Sequence, residues 1–295
     1  DEYTFPAEEA FSSMEYAQDI ARFFVKELVK NGTTTCAAYA TVHPASVTAL
    51  FSVATEYNMC ILAGKVMMNR NAPDYLMDTT HQGELDCRSL IEDWDGKGRN
   101  HYVITPRFAI TSTPDQLKSA GRLHAEYPST YIQTHLSENL GEIAWVQELC
   151  PWAEFYGDAY DHFGMFGGKC RTIMAHCVYS GEAEIRRMKE NGVFIAHCPE
   201  SNTNLSSGIA PVRRYLDEQI PMGLGSDVAG GTTENLFAAM RHAIQASKLR
   251  WRLSNQGLKA LTVEEVFYLA SKGGGAFFGK VGSFEPGYEF DAVIL

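Results

Sequence analysis

Short apolar runs alternate with longer amphipathic stretches along this chain, and that beat limits its fold more than any other feature. Residues 11–30 read as a helix closed by Asn31-Gly32. Helical periods recur at 45–57, 115–126, 138–150, 182–191, 234–249 and 262–271. The last opens with Thr262 as N-cap and Glu265 as its box partner. Between them lie apolar or β-branched runs at 33–40, 60–68, 101–108, 131–135, 171–177, 193–198 and 220–226. Strands covered by helices on both faces read as near-continuous apolar runs, as these do. Alternating strands and helices predict an α/β fold. Seven strands are one fewer than the eight of a closed TIM barrel, and a doubly wound open sheet is the rival. No Gly-x-Gly-x-x-Gly follows a strand and no Walker A lysine motif occurs, so nucleotide binding of that sort has no support.

Charge and cysteine content narrow the class. Lys plus Arg number 25 against 36 Asp plus Glu, a formal charge of -11. That balance argues against a non-specific nucleic-acid surface or a polybasic membrane patch. A hydrophobic share of 45% excludes a disordered chain. Seven cysteines without framework spacing fit free thiols in a reducing, cytoplasmic setting. No apolar run approaches the ~20 residues of a membrane span, and no signal peptide is legible. The chain starts at Asp1 without an initiator Met and stops in the strand-like run Asp291–Leu295, so both ends read as cut.

The chemistry sits at the ends of the strands. Tyr131–His135, Thr172–His176 and Val193–His197 each end in histidine, and Met222–Asp227 ends in aspartate. In a barrel of parallel strands those ends converge on one mouth. Imidazole nitrogen and carboxylate oxygen are ligands that Zn²⁺ accepts. His135, His176 and Asp227 together predict a catalytic metal centre, whereas His197 reads as a hydrogen-bonding neighbour. A lone strand-end histidine is more often a structural hydrogen-bonder, and it is the recurrence that favours the metal.

Glu138, three residues after His135, lies near the same mouth as a proton shuttle for a metal-bound water, or else as a first-turn acid of a helix. Arg107 beside Phe108 offers a fork and a ring to a planar polar heterocycle, or else forms an ordinary salt bridge. Lys65, inside an apolar strand, is either a carboxylated bridging ligand or a packed, paired lysine, and the second is preferred. Cys177 and Cys198 directly follow strand-end histidines, but neighbours on a strand face opposite ways, so thiol catalysis is disfavoured.

Thr134-His135-Leu136-Ser137-Glu138-Asn139, Met174-Ala175-His176, Ala196-His197-Cys198-Pro199 and Gly225-Ser226-Asp227-Val228-Ala229-Gly230-Gly231 resemble the amidohydrolase superfamily. Thr105-Pro106-Arg107-Phe108, Asn31-Gly32-Thr33-Thr34-Thr35 and residues 284–291 narrow the resemblance to the guanine deaminases. It covers essentially the whole chain. The resemblance implies a distorted (β/α)₈ barrel over residues 1–289 lacking its first strand, with 290–295 opening a small β domain. It also implies one Zn²⁺ per subunit (Fe²⁺ as the alternative), a cytoplasmic homodimer, and hydrolysis of guanine to xanthine and ammonia. On that pattern His135 and Asp227 hold the metal. Asp227 also works as acid and base, His176 orients the water, Glu138 shuttles the proton, and Arg107 and Phe108 recognise the purine. The substrate-binding set is Arg107, Phe108, His135, Glu138 and Asp227. Two departures stand out. No His-x-His pair, the family's other metal ligands, occurs in the chain, and Asn69 stands where many relatives carry Asp. A partial sequence of a competent enzyme is the favoured account, and a metal-deficient, non-catalytic relative is the alternative. Deamination of another heterocycle, such as a pterin, triazine or cytosine, is the alternative activity.

Overall fold

The computed structural model describes residues 3–254 and 257–294. Its contacts group into two compact units. The first takes in residues up to Lys30, Thr34–Thr134 and His162–Met165. The second holds Asn31–Thr33, His135–Asp161 and Phe166 onward.

In the first unit the chain runs α1 (Thr4–Glu9), α2 (Met14–Lys30), β1 (Thr35–Tyr39), α3 (Pro44–Glu56), β2 (Cys60–Gly64) and β3 (Val66–Met67). It continues through α4 (Thr80–Trp94), β4 (Asn100–Pro106), α5 (Pro114–Glu126) and most of β5 (Tyr131–Leu136). Every pairing is parallel: β1 with β2, β2 and β3 with β4, and β4 with β5. All five residues of β2 are buried, which is why the run carries no polar alternation. The run 60–68, expected as one strand, breaks at Lys65 into β2 and β3. At the break the backbone approaches so closely that a Cβ on Gly64 would lie 1.7 Å from the Val103 carbonyl oxygen.

Helix ends follow their local chemistry. Thr79 and Thr113 cap α4 and α5 by accepting from the Gln82 and Gln116 amides. The region 69–100 holds in α4 a helix of 15 residues. Ahead of it Asn69 is pinned: its Nδ2 donates to Thr80 Oγ1 at 3.0 Å and Thr113 Oγ1 at 2.8 Å.

The second unit contains α6 (Leu140–Leu149), α7 (Asp158–Asp161), β6 (Thr172–His176), α8 (Glu182–Asn191), β7 (Phe194–His197) and α9 (Pro199–Asn204). Then come α10 (Val212–Asp217), β8 (Met222–Leu224), α11 (Leu236–Leu253) and α12 (Val263–Tyr268). β6 pairs with β7 and β7 with β8, both in parallel. The expected capping box of α12 is present, with Thr262 and Glu265 bonding each other's backbone amides. The Ser/Asn stretch after β7, which shows no helical period in the sequence, is α9. Pro199 at its first position removes an amide that the helix could not have used. Residues 291–294 are irregular, and the chain ends singled out in the sequence, Asp1 and Leu295, lie outside the described residues. Helices thus alternate with parallel strands in each unit, which is the expected α/β class. Among the described residues no helix is long and apolar enough to cross a membrane.

Candidate active site

Four of the six singled-out residues belong to the second unit. His135 is the penultimate residue of β5 and His176 ends β6, and their rings stack with centroids 5.2 Å apart. Glu138 follows β5, and Asp227 follows β8. His176 Nε2 lies 3.8 Å from Glu138 Oε2 and 3.9 Å from Asp227 Oδ2. His176 is 2% exposed and Glu138 9%, so these groups meet inside the protein.

The backbone turns sharply where it delivers these side chains. Ser137, His176, Cys177 and Asp227 have φ of 47°, 73°, 49° and 47°, the left-handed region that non-glycine residues avoid. Surrounding bonds hold the turns. The Cys177 amide donates to the Leu136 carbonyl at 3.0 Å, and Tyr215 Oη donates to the Cys177 carbonyl at 2.6 Å. The Val178 and Tyr179 amides both donate to the Ser137 carbonyl. Two glycines make room beyond Asp227. A Cβ on Gly230 would lie 2.3 Å from Ser201 Oγ, and one on Gly231 would lie 2.0 Å from the Ser226 carbonyl oxygen.

Buried acids brace the segment after β5. Glu142 takes the Glu138 amide at 3.2 Å and the Tyr156 hydroxyl at 2.5 Å. Glu184 accepts from Ser137 Oγ and from the Gly157 amide, each at 2.8 Å. Burial pushes both carboxyls above the usual range, although these hydrogen bonds oppose it. Tyr160 Oη donates to the His135 carbonyl at 3.0 Å. Nothing in the sequence marks Glu142 or Glu184, because an acid in a helix's first turns ordinarily faces solvent.

His197, read as a neighbour of the site, is 2% exposed. Burial, then the charge of His176, brings its imidazole down to about 3, so it stays neutral. Cys198, set aside as a nucleophile, has a place beside the site that the sequence did not show. β7 ends at His197, so the alternation of a strand no longer governs the next side chain. Ligand atoms of His176, Cys198 and Asp227 lie within 4.8 Å of one another. Burial, followed by the nearby Asp227 and Glu138 carboxylates, holds the Cys198 thiol well above its ordinary value. It is therefore no free nucleophile.

This donor set fits a divalent ion. Ligands about 2.0–2.3 Å from a tetrahedral centre lie roughly 3.3–3.8 Å from each other, close to the spacings around His176 Nε2. Nitrogen, oxygen and sulfur are all donors that a borderline-soft ion accepts.

Arg107 and Phe108 belong to the first unit. The guanidinium meets Glu8 of α1 at 3.0 Å and lies 5.7 and 5.8 Å from the Phe5 and Phe108 ring centroids. Lys65 is fully buried and paired with Asp78, the preferred of its two readings.

Comparisons with known proteins supply the family. The sequence pattern described as the amidohydrolase family matches residues 2–295. The guanine deaminase of Escherichia coli (strain K12) is 44% identical over 99% of this chain and 65% of its own. That of Dictyostelium discoideum is 37% identical over 100% of this chain and 66% of its own. The crystal structure of guanine deaminase from C. acetobutylicum with bound guanine superposes with a TM-score of 0.94 at 43% identity. The superposition covers 98% of this chain and 68% of that one. The chain thus spans about two-thirds of the length of the curated relatives it matches. With its sequence matched almost end to end, the chain belongs to the amidohydrolase family.

Proposed function

We propose that this protein hydrolyses guanine to xanthine and ammonia. The observation that carries this reading is the convergence of His176, Glu138 and Asp227, with both carboxylates facing one imidazole nitrogen at 3.8 and 3.9 Å. The likeness to guanine deaminases supports the choice of substrate.

Zn²⁺, with Fe²⁺ as the alternative, would be held by His135, whose ring stacks on His176, and by Asp227, with His176 facing the same position, and it would make water a nucleophile near neutral pH. The protein's own groups do the rest. A water seated between Glu138, Asp227 and His176 meets all three, and His176 Nε2 orients it. Asp227 takes one of its protons as the oxygen attacks the amino-bearing carbon of the ring. Glu138 carries the water's other proton to the ring nitrogen and then relays the proton held by Asp227 to the departing amine, so that ammonia leaves. Both carboxylates end as they began. Arg107 and Phe108 recognise the planar base through the guanidinium fork and the aromatic face. On the same reading residues 1–289 form most of the barrel domain, 290–295 open a small β domain, and the enzyme is a cytoplasmic homodimer.

The test is ammonia release by the full-length protein from guanine, a pterin, a triazine and cytosine, with bound metal quantified in parallel. Guanine should be the best substrate by at least tenfold, with one metal per subunit. Faster turnover of another heterocycle would move the assignment within the family.

A further inference from the structure

One short segment touches both partners of the central pair. Asn202, in α9, is 1% exposed, and its Oδ1 lies 2.8 Å from His176 Nδ1. Ser207, just past the same helix, is 3% exposed and donates from Oγ to Glu138 Oε1 at 2.8 Å. The segment is itself fixed. The Asn202 amide donates to the Cys198 carbonyl at 3.0 Å, and the Gly208 amide donates to the Asn202 carbonyl at 3.2 Å. Asn204 Nδ2 donates at 2.9 Å to the carbonyl of Gly230, in the loop that carries Asp227.

We propose that residues 199–208 form a clamp in which Asn202 and Ser207 are positioning residues, setting the reactive edges of His176 and Glu138 against each other. The proposal rests on the deamination reading for its consequence, but not for its geometry. His176's backbone fixes where its Cβ points, yet leaves the ring free to turn over. An amide oxygen at Nδ1 removes that freedom, because only an Nδ1–H can donate to it. Nε2 is then the nitrogen presented to Glu138 Oε2 and Asp227 Oδ2. Ser207 does the same for the carboxylate, since anchoring Oε1 commits Oε2 to the imidazole side. Partners of this kind commonly change activity by about 10–100-fold when lost.

Nitrogen-15 NMR of the histidines in the metal-stripped, full-length protein reads the ring directly. Wild type and Asn202→Asp should both show His176 with hydrogen on Nδ1, and Asn202→Leu should shift it toward Nε2. In the metal-loaded protein, Asn202→Leu and Ser207→Ala should each lower kcat about 10–100-fold with KM within about threefold. Asn202→Asp and Ser207→Thr, which keep the bonding atoms, should recover most of that loss. An Nε2–H ring in wild type, or an Asn202→Leu ring identical to wild type, overturns the clamp. So does a loss of kcat in Asn202→Asp equal to that in Asn202→Leu. If guanine is not turned over at all, the deamination reading falls while the NMR still decides the clamp.

Discussion

Two buried polar clusters, one in each unit, look alike in sequence and differ in what their atoms have left to give. Around β3, Lys65 is fully buried, ion-paired with Asp78, and its amide donates to Tyr102 Oη at 3.2 Å. Asn69 donates twice and accepts from the Thr113 amide at 2.8 Å. Around β6, His176 Nε2 stands 3.8 and 3.9 Å from two carboxylate oxygens, near enough to interact and too far to hydrogen-bond. The first cluster is saturated by the chain itself. The second holds its groups apart at the spacing a third party would occupy. Burial and polarity do not separate architecture from chemistry here, whereas unspent hydrogen-bonding capacity does.

That contrast predicts opposite responses to substitution. Glu138→Gln should lower guanine turnover about 10³-fold, near 4 kcal/mol of barrier, and leave urea unfolding nearly unchanged. A comparable loss of stability would erase the distinction. Lys65→Met should do the reverse. It strands the Asp78 carboxylate, costs about 3–5 kcal/mol in urea unfolding, and leaves turnover per folded molecule within about twofold. Adding Asp78→Leu should recover most of that stability, because the pair is then replaced rather than broken.

His197 gives a smaller effect with a definite sign. Its imidazole titrates at about 3 when folded, because of burial first and His176 second. Unfolded, it titrates near ~6.5, so between these values the unfolded chain binds the extra proton. Its contribution is therefore complete above about pH 6.5 and is lost as pH falls toward 3, by up to about 1.4 kcal/mol per pH unit. His197→Gln should flatten that acid limb in unfolding curves collected from pH 7 to 4. Smallest of all, Asn69→Asp should cost under about 1 kcal/mol in the same assay, since the Thr80 and Thr113 hydroxyls can turn to donate where they now accept.

Much of this was legible in the residues, and the failures have physical causes. The alternation of runs gave the α/β class, because strands covered on both faces cannot hide their apolar character. The strand-end histidines His135 and His176 came to one place with Glu138 and Asp227, because parallel strands deliver their last residues together. The break at Lys65 was invisible, since a single lysine in an apolar run does not announce whether the backbone bends around it. α9 was missed because Pro, Ser and Asn are poor interior helix formers, and this helix is short enough to consist mostly of ends. Cys198 was rightly set aside as a nucleophile, although strand alternation stops one residue before it and its place beside His176 and Asp227 was not foreseen. Asn202 and Ser207 carried no signal of their own, because their importance lies in partners more than twenty residues away in the chain.

The left-handed backbone at Ser137, His176, Cys177 and Asp227 has a consequence for directed evolution. Each such residue holds the fold at a disadvantage of roughly 1–2 kcal/mol that glycine would not incur. A library selected only for surviving heat would therefore enrich glycine at 227, where the side chain is a third exposed. The winners would be the hardiest members of the population and also the inert ones. Selection for turnover would purge the same alleles, so the two screens run side by side would map the working positions by their disagreement.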